Sequence, residues 1–242
     1  IGKGFGMPAP GWTVNVSADY LDSRIDPRDN RDNFKRVTFS TRSNLRRAVG
    51  GKQLTWDASI NYTGTFERDK NDPDLTVNNT IDYYTNSINR FSLNNAVALT
   101  HPAGGFFRSA SFTSGISYST EHLHQEKTVA ATRLYPLPVS LVPGPNDVGF
   151  LPMLYIGNLD VYGRPLTIFT KLSAVAGYNH GNIAGTLKAG LQWDFSKNYG
   201  RGQVYDLTHP ITPGNTSRPR PYRDVPAINQ LSAYVENESN IR

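Results

Sequence analysis

This sequence predicts an all-β chain folded as an antiparallel, up-and-down sheet. Three features carry that expectation. Polar and apolar residues alternate with a period of two over long stretches, with little helical patterning. The alternating stretches are longer than soluble strands, which average about 5–6 residues. The connections between them switch regularly between short and long.

The first predicted strand runs from Trp12 to Tyr20, with Trp12, Val14, Val16, Ala18 and Tyr20 on one face and Thr13, Asn15, Ser17 and Asp19 on the other. The second covers 34–49, where Val37, Phe39 and Leu45 oppose Arg36, Thr38, Ser40, Arg42, Asn44 and Arg46. The third is the clearest: 54–66 reads LTWDASINYTGTF, and every second residue from Leu54 is apolar, aromatic or glycine, while those between are all polar. The fourth covers 90–100 through Phe91, Leu93, Val97 and Leu99, and the fifth 107–122 through Ala110, Phe112, Ile116 and Tyr118. The sixth (166–178), seventh (183–199) and eighth (228–236) repeat the pattern.

Gly50-Gly51-Lys52, His101 to Phe106 and His180-Gly181-Asn182 read as short turns, rich in residues that tolerate positive φ. The remaining connections, 21–33, 67–89, 123–165 and 200–227, are long. Short turns at one end and long loops at the other are the pattern of outer-membrane barrels. A 13-residue strand such as 54–66 extends ~43 Å at ~3.3 Å per residue. Tilted by ~40°, it rises ~33 Å, more than the ~25 Å apolar band of such barrels. The expectation is therefore a transmembrane β-barrel segment of about eight strands, with short periplasmic turns and long extracellular loops. Residues 1–242 form one partial barrel domain in this reading. Trp56 and Phe66 would fall near the two interfacial aromatic girdles. Arg36, Arg42, Arg46, Asp57 and Asn61 would face the lumen. The competing readings are a small closed barrel acting as a pore or adhesin, and a soluble carbohydrate-binding β-sandwich whose apolar face packs on a second sheet.

Composition narrows the function. There is no cysteine, so thiol chemistry and disulfides are excluded. The net charge of +5 is spread along the chain and forms no clustered basic stripe for nucleic acid. The opening IGKGFGMPAP lacks the charged and apolar regions of a signal peptide. No G-x-S-x-G or H-E-x-x-H motif occurs, and no carboxylate pair is placed for acid–base work, so the chain reads as a non-enzyme.

Several clusters invite a site. Arg36, Arg42 and Arg46 could draw an anion, or pair with carboxylates such as Asp57 on the next strand. Arg46 and Arg47 lie beside a short turn, where long cationic side chains can reach lipid headgroups. Asp22, Asp26, Asp29 and Asp32 could offer oxygens to calcium, but Arg24, Arg28 and Arg31 interleave with them and the spacing is no EF-hand. No cofactor is expected. His122 and His124 form an H-x-H pair without an evident third ligand. Within 123–165, Tyr135, Phe150, Tyr155 and Tyr162 could form a platform for a lid protein or substrate, or pack on themselves.

One segment carries a family resemblance. Arg218-Pro219-Arg220-Pro221-Tyr222-Arg223-Asp224-Val225-Pro226, followed by Asn229-Gln230-Leu231-Ser232-Ala233-Tyr234, resembles the SusC/RagA-like TonB-dependent transporters of Bacteroidetes outer membranes. Tyr162-Gly163-Arg164-Pro165-Leu166 and the strand GLQWDF from Gly190 to Phe195 look like that family too. The resemblance implies a segment of a 22-stranded barrel that imports glycans or peptides. It also implies an N-terminal plug opened by TonB, and a SusD-like surface lipoprotein as lid. No plug domain or TonB box is recognisable in this stretch. Arg218, Arg220, Tyr222, Asp224 and Pro226 are then read as a structural loop, with Arg218 or Arg220 pairing with Asp224.

Overall fold

The computed structural model describes residues 2–6, 10–24, 33–70, 80–102, 105–137, 149–214 and 220–241. They build one antiparallel sheet of eleven strands: β1 (Gly2–Gly6), β2 (Trp12–Arg24), β3 (Asn33–Val49), β4 (Lys52–Lys70), β5 (Asp82–Thr100), β6 (Phe107–Ala130), β7 (Leu154–Gly163), β8 (Pro165–His180), β9 (Ile183–Asn198), β10 (Gly202–Val204) and β11 (Ile228–Ile241). A 3₁₀ turn at Tyr222–Asp224 is the sole helical element among the described residues. The lateral order is β1-β2-β3-β4-β5-β6-β8-β9-β11, with β7 pairing β6 and β10 pairing β7. The sheet is open, with β1 and β11 at its edges.

The count of about eight strands is corrected to eleven. Two of the added strands lengthen lanes already counted. β6 pairs β8 from Phe107 to Tyr118 and β7 from Glu121 to Ala130. The register continues unbroken across Arg164: Tyr118 faces Leu166 and Glu121 faces Gly163. β7 and β8 are thus one lane, and β10 likewise carries the β9 side upward beside β7. β1 adds a further lane, pairing Gly2–Gly6 with Ser17–Thr13. Its glycine-rich sequence gives no alternation to read. The loops expected at 67–89 and 123–165 are also shorter than predicted, because β4, β5, β6 and β7 run into them. Both faces of the β4, β5 and β6 extensions are largely polar, so hydropathy does not mark them as strand, while β7 has an apolar face of Tyr155, Leu159 and Val161 inside a stretch that reads as a long connection.

The turns follow from backbone sterics. Gly50 (φ 56) and Gly51 (φ 76) close the β3–β4 hairpin, and Gly181 (φ 60) closes β8–β9. These left-handed angles cost glycine nothing and most other residues dearly. With the register pinned there, apolar residues meet apolar residues across the sheet. Phe39 faces Tyr62, Tyr62 faces Phe91, and Phe91 faces Tyr118. Ile60, Leu93, Ile116 and Ile168 form a second row, continued by Phe195. Leu45, Trp56, Val97, Phe112 and Leu172 form a third, continued by Leu191.

No second layer covers these rows among the described residues. Ile60 is 42% exposed, Phe91 45%, Leu172 51% and Leu231 75%. The buried apolar residues are Val129, Leu151 and Tyr155, packed with Tyr135 above the long-loop end. Polar atoms on the apolar face are satisfied within it. The indoles of Trp12, Trp56 and Trp193 donate to Ser43 Oγ (2.7 Å), Asn95 Oδ1 (2.7 Å) and Asn229 Oδ1 (2.6 Å) on neighbouring strands.

Glycines on the opposite face are covered by rings. A Cβ at buried Gly115 would lie 2.2 Å from Cε1 of Phe169, its cross-strand partner. Gly115→Val should lower stability by about 1–3 kcal/mol through overpacking. Most of that loss should return in Gly115→Val/Phe169→Ala, read as the midpoint of denaturant unfolding.

Candidate functional site

The polar face is built by the same alternation. Arg36, Arg42 and Arg46 of β3 stand opposite Thr65, Ser59 and Thr55 of β4, while Asp57 and Asn61 stand opposite Asn44 and Ser40. All five residues expected on this face therefore share it. Arg42 grips Asp57 diagonally: Nε donates to Oδ1 (3.1 Å) and Oδ2 (3.2 Å), and Nη2 donates to Oδ2 (2.6 Å). Asn44 Nδ2 adds a bond to Oδ2 at 2.5 Å. Arg36 pairs with Asp19 at 3.5 Å. Exposed ion pairs of this kind contribute about 0–1 kcal/mol, so their main effect is to fix side-chain direction.

Around them lie hydroxyls and amides. Asn61 accepts from Ser40 Oγ (2.6 Å) and donates to Ser92 Oγ (3.4 Å). Ser111 and Ser173 hydroxyls meet at 2.7 Å, and Lys188 reaches Glu236 at 3.2 Å. The face is a wettable wall with both signs of charge and many donors and acceptors. Among the described residues no carboxylate pair or nucleophile–base pair stands out on it.

Above the long-loop end the structure gathers groups that the sequence reading kept apart. His122 Nε2 and His124 Nδ1 lie 2.9 and 3.0 Å from one oxygen, Oδ1 of Asp160. β7 supplies this carboxylate, because His124 pairs with Asp160 in the β6–β7 register. The histidines thus sit on one face of a strand, turned to a shared carboxylate on the next. Burial opposes the charge on Asp160, but hydrogen bonds from His122 and His124, with their charges, hold its carboxyl below the ordinary range. The His122 ring stacks on Tyr162, with centroids 4.4 Å apart and planes 5° apart. The Arg201 guanidinium lies 4.9 Å from the centre of the same Tyr162 ring. Among the described residues no group of three His, Cys, Asp or Glu side chains can hold a metal ion. Asp22 pairs with Lys35 at 3.9 Å, and Asp26, Asp29 and Asp32 lie outside the described residues, as do Arg28 and Arg31.

The chain after β10 folds back under β7. Tyr155 Oη donates to Pro210 O (2.7 Å), His209 O accepts from Asn158 N (3.1 Å), and Pro210 is fully buried. Burial pushes the Tyr155 phenol pKa up, so the hydroxyl stays protonated and donating. Of the four aromatics expected to form a platform, Tyr155 is buried here and Tyr135 packs on the same cluster. Tyr162 stacks with His122, and Phe150 is 53% exposed. Beside the strap a recess of about 210 Å³ opens between Gln125, Asn158, Gln203, Tyr205 and Thr212. The segment before β11 docks on the top of β9: Arg223 N donates to Gly200 O (3.1 Å) and Lys197 Nζ to Val225 O (2.9 Å). Asp224 pairs with Arg223 at 3.8 Å rather than with Arg220. Arg218 lies outside the described residues. Tyr222 and Pro226 line a second recess with Ser196 and Asn198.

Compared with protein-family models, curated proteins and solved structures, the chain gives no match. The fold and the two-faced sheet therefore carry the functional reading.

Two outcomes test the strap. Tyr155→Phe should cost about 1 kcal/mol through the orphaned Pro210 carbonyl and speed amide exchange over 205–214. Asp206 accepts from Thr208 N (2.9 Å), Thr208 Oγ1 (2.7 Å) and His209 Nδ1 (2.9 Å), and these bonds bring its pKa down to about 2. A lowered folded-state pKa stabilises above the unfolded value of 3.8, and that contribution fades as pH falls through about 2. Protection of this turn should therefore weaken in that window, and Asp206→Asn should abolish the pH dependence.

Proposed function

We propose that this chain is a wall segment of an outer-membrane β-barrel. In this reading its apolar face meets lipid and its polar face lines an aqueous passage. The observation that carries it is the continuous apolar face, exposed in register from β2 to β11 with no layer over it among the described residues. In water such a face would be an aggregation surface far larger than the few hundred Å² that soluble monomers expose. In hydrocarbon it is the favourable state. Strands can cross here because pairing satisfies the backbone groups within the sheet, and the outward edges of β1 and β11 would take neighbouring strands in a closed wall.

The long-loop end would then stand outside the cell. The extensions of β6 and β7 above the Tyr118 row, with the His122–Asp160–His124 cluster and the strap, would lie beyond the hydrocarbon. The specific function proposed is nutrient uptake as part of a SusC-like TonB-dependent transporter. Support comes from the sequence resemblance around Arg220 to Tyr234 and from the amide- and hydroxyl-lined recess near Gln125 and Gln203. Such a lining suits ligands rich in hydroxyl or amide groups, as glycans and peptides are. A surface lipoprotein of the SusD type and the TonB complex are the partners proposed with it.

The absence of cysteine makes the test direct. Single cysteines at Ser59, Ile60, Asn61, Ser92 and Leu93 should show alternating behaviour in intact membranes. The Ser59, Asn61 and Ser92 positions should react with a water-soluble maleimide, and the Ile60 and Leu93 positions should stay protected until detergent or denaturant is added. Uniform labelling of both sets would overturn the membrane reading.

A further inference from the structure

We propose that the short-turn corner of the apolar face, from β2 to β6, binds the anionic headgroups of a phospholipid leaflet through Arg47 and Lys52. The inference rests on the membrane reading above and assigns a lipid class to one end of it.

Arg47 stands opposite Leu54, and Lys52 opposite Val49, so both cations point to the apolar face. On that face of β3 the residues between Lys35 and Arg47 are Val37, Phe39, Thr41, Ser43 and Leu45, none of them charged. Charge returns only where the apolar rows end. The separation of 35 from 47 corresponds to ~40 Å along a strand, or ~30 Å once tilted by ~40°, close to the thickness of a bilayer's hydrocarbon core.

The two ends differ in how their cations are matched. At the long-loop end Lys35 has a carboxylate partner, Asp22 at 3.9 Å. At the short-turn end no carboxylate pairs with Arg47 or Lys52 among the described residues. The nearest one in sequence, Asp57, points to the other face and is held by Arg42 and Asn44. Lys52 is not loose: its ammonium lies 4.9 Å from the centre of the Phe107 ring, which holds the charge at the rim.

Aromatic side chains complete the corner. Trp12 and Trp56 face each other across Leu45, with ring centroids 6.4 Å apart. They sit one apolar row inward from Arg47 and Leu54. An apolar ring with a polar edge, just inside a row of long cationic side chains, fits the boundary between acyl chain and headgroup. Two unmatched cations there call for a negative partner, and the phosphate-bearing headgroups of an anionic phospholipid lie at that depth.

The test uses the full chain reconstituted in vesicles, with Trp193→Phe as background so that Trp12 and Trp56 alone emit. Phosphatidylglycerol with brominated acyl chains is mixed as a minor component into phosphatidylcholine. In the converse vesicles the brominated chains are on the phosphatidylcholine at the same mole fraction. Brominated phosphatidylglycerol should quench beyond its bulk fraction, with an enrichment of about fivefold per cation. That excess should fall with added salt. In Arg47→Gln/Lys52→Gln the excess should vanish, while quenching by brominated phosphatidylcholine stays unchanged and shows that insertion is intact. Equal quenching by the two lipids in the unsubstituted pair of cations would overturn the inference and leave the membrane reading standing. No quenching by either would overturn both.

Discussion

Everything in this fold depends on strand register. In a pleated sheet a slip of one residue moves every side chain to the other face. Here the two glycines at positions 50 and 51 and the turn at Gly181 fix that register at the short-turn end. The pairing then carries it along strands of up to 24 residues. Among the described residues the result is a two-faced sheet: one side apolar, one side polar, and the backbone hydrogen bonds between them as the continuous cohesive element. The usual source of stability, apolar burial against a second layer, is confined to the small cluster around Leu151 and Tyr155.

That cluster changes the character of the long-loop end. Below it the sheet is periodic and one residue thick. Above it β6 exchanges β8 for β7 as partner, the chain after β10 tucks beneath β7, and Pro210 becomes fully buried. The hydrogen bonds there join residues far apart in sequence, such as the Tyr155 hydroxyl to the Pro210 carbonyl and His122 to Asp160. The outer part therefore has a shape of its own, set by specific contacts, while the lower part has a shape set by repetition.

This contrast explains what could be read from the sequence. The strand centres from 54 to 66, 107 to 118 and 183 to 195 were legible because one face there is apolar. The hairpin turns were legible because glycine marks them. The stretch LHQEKTVA at the end of β6 was not, since neither of its faces is predominantly apolar and its strand state comes from pairing with β5 and β7. The H-x-H pair is visible in the sequence, but its carboxylate partner sits 36 residues away from His124, on a strand within a stretch that reads as a long connection. The pairing of Arg42 with Asp57 lay within reach of sequence reasoning, because a short hairpin leaves few registers to choose from.

The outer border of the sheet has a practical implication. β11 is paired with β9 along its whole length and with nothing on its other side among the described residues. Its outward N–H and C=O groups form a ready template, and Leu231 and Val235, 75% and 74% exposed, add an oily ledge beside it. Any extended polypeptide that docks there gains a ladder of bonds and a greasy contact in one step. In buffer, this chain should therefore self-associate from its last strand, and charged or proline replacements on that border are the remedy that edge chemistry recommends.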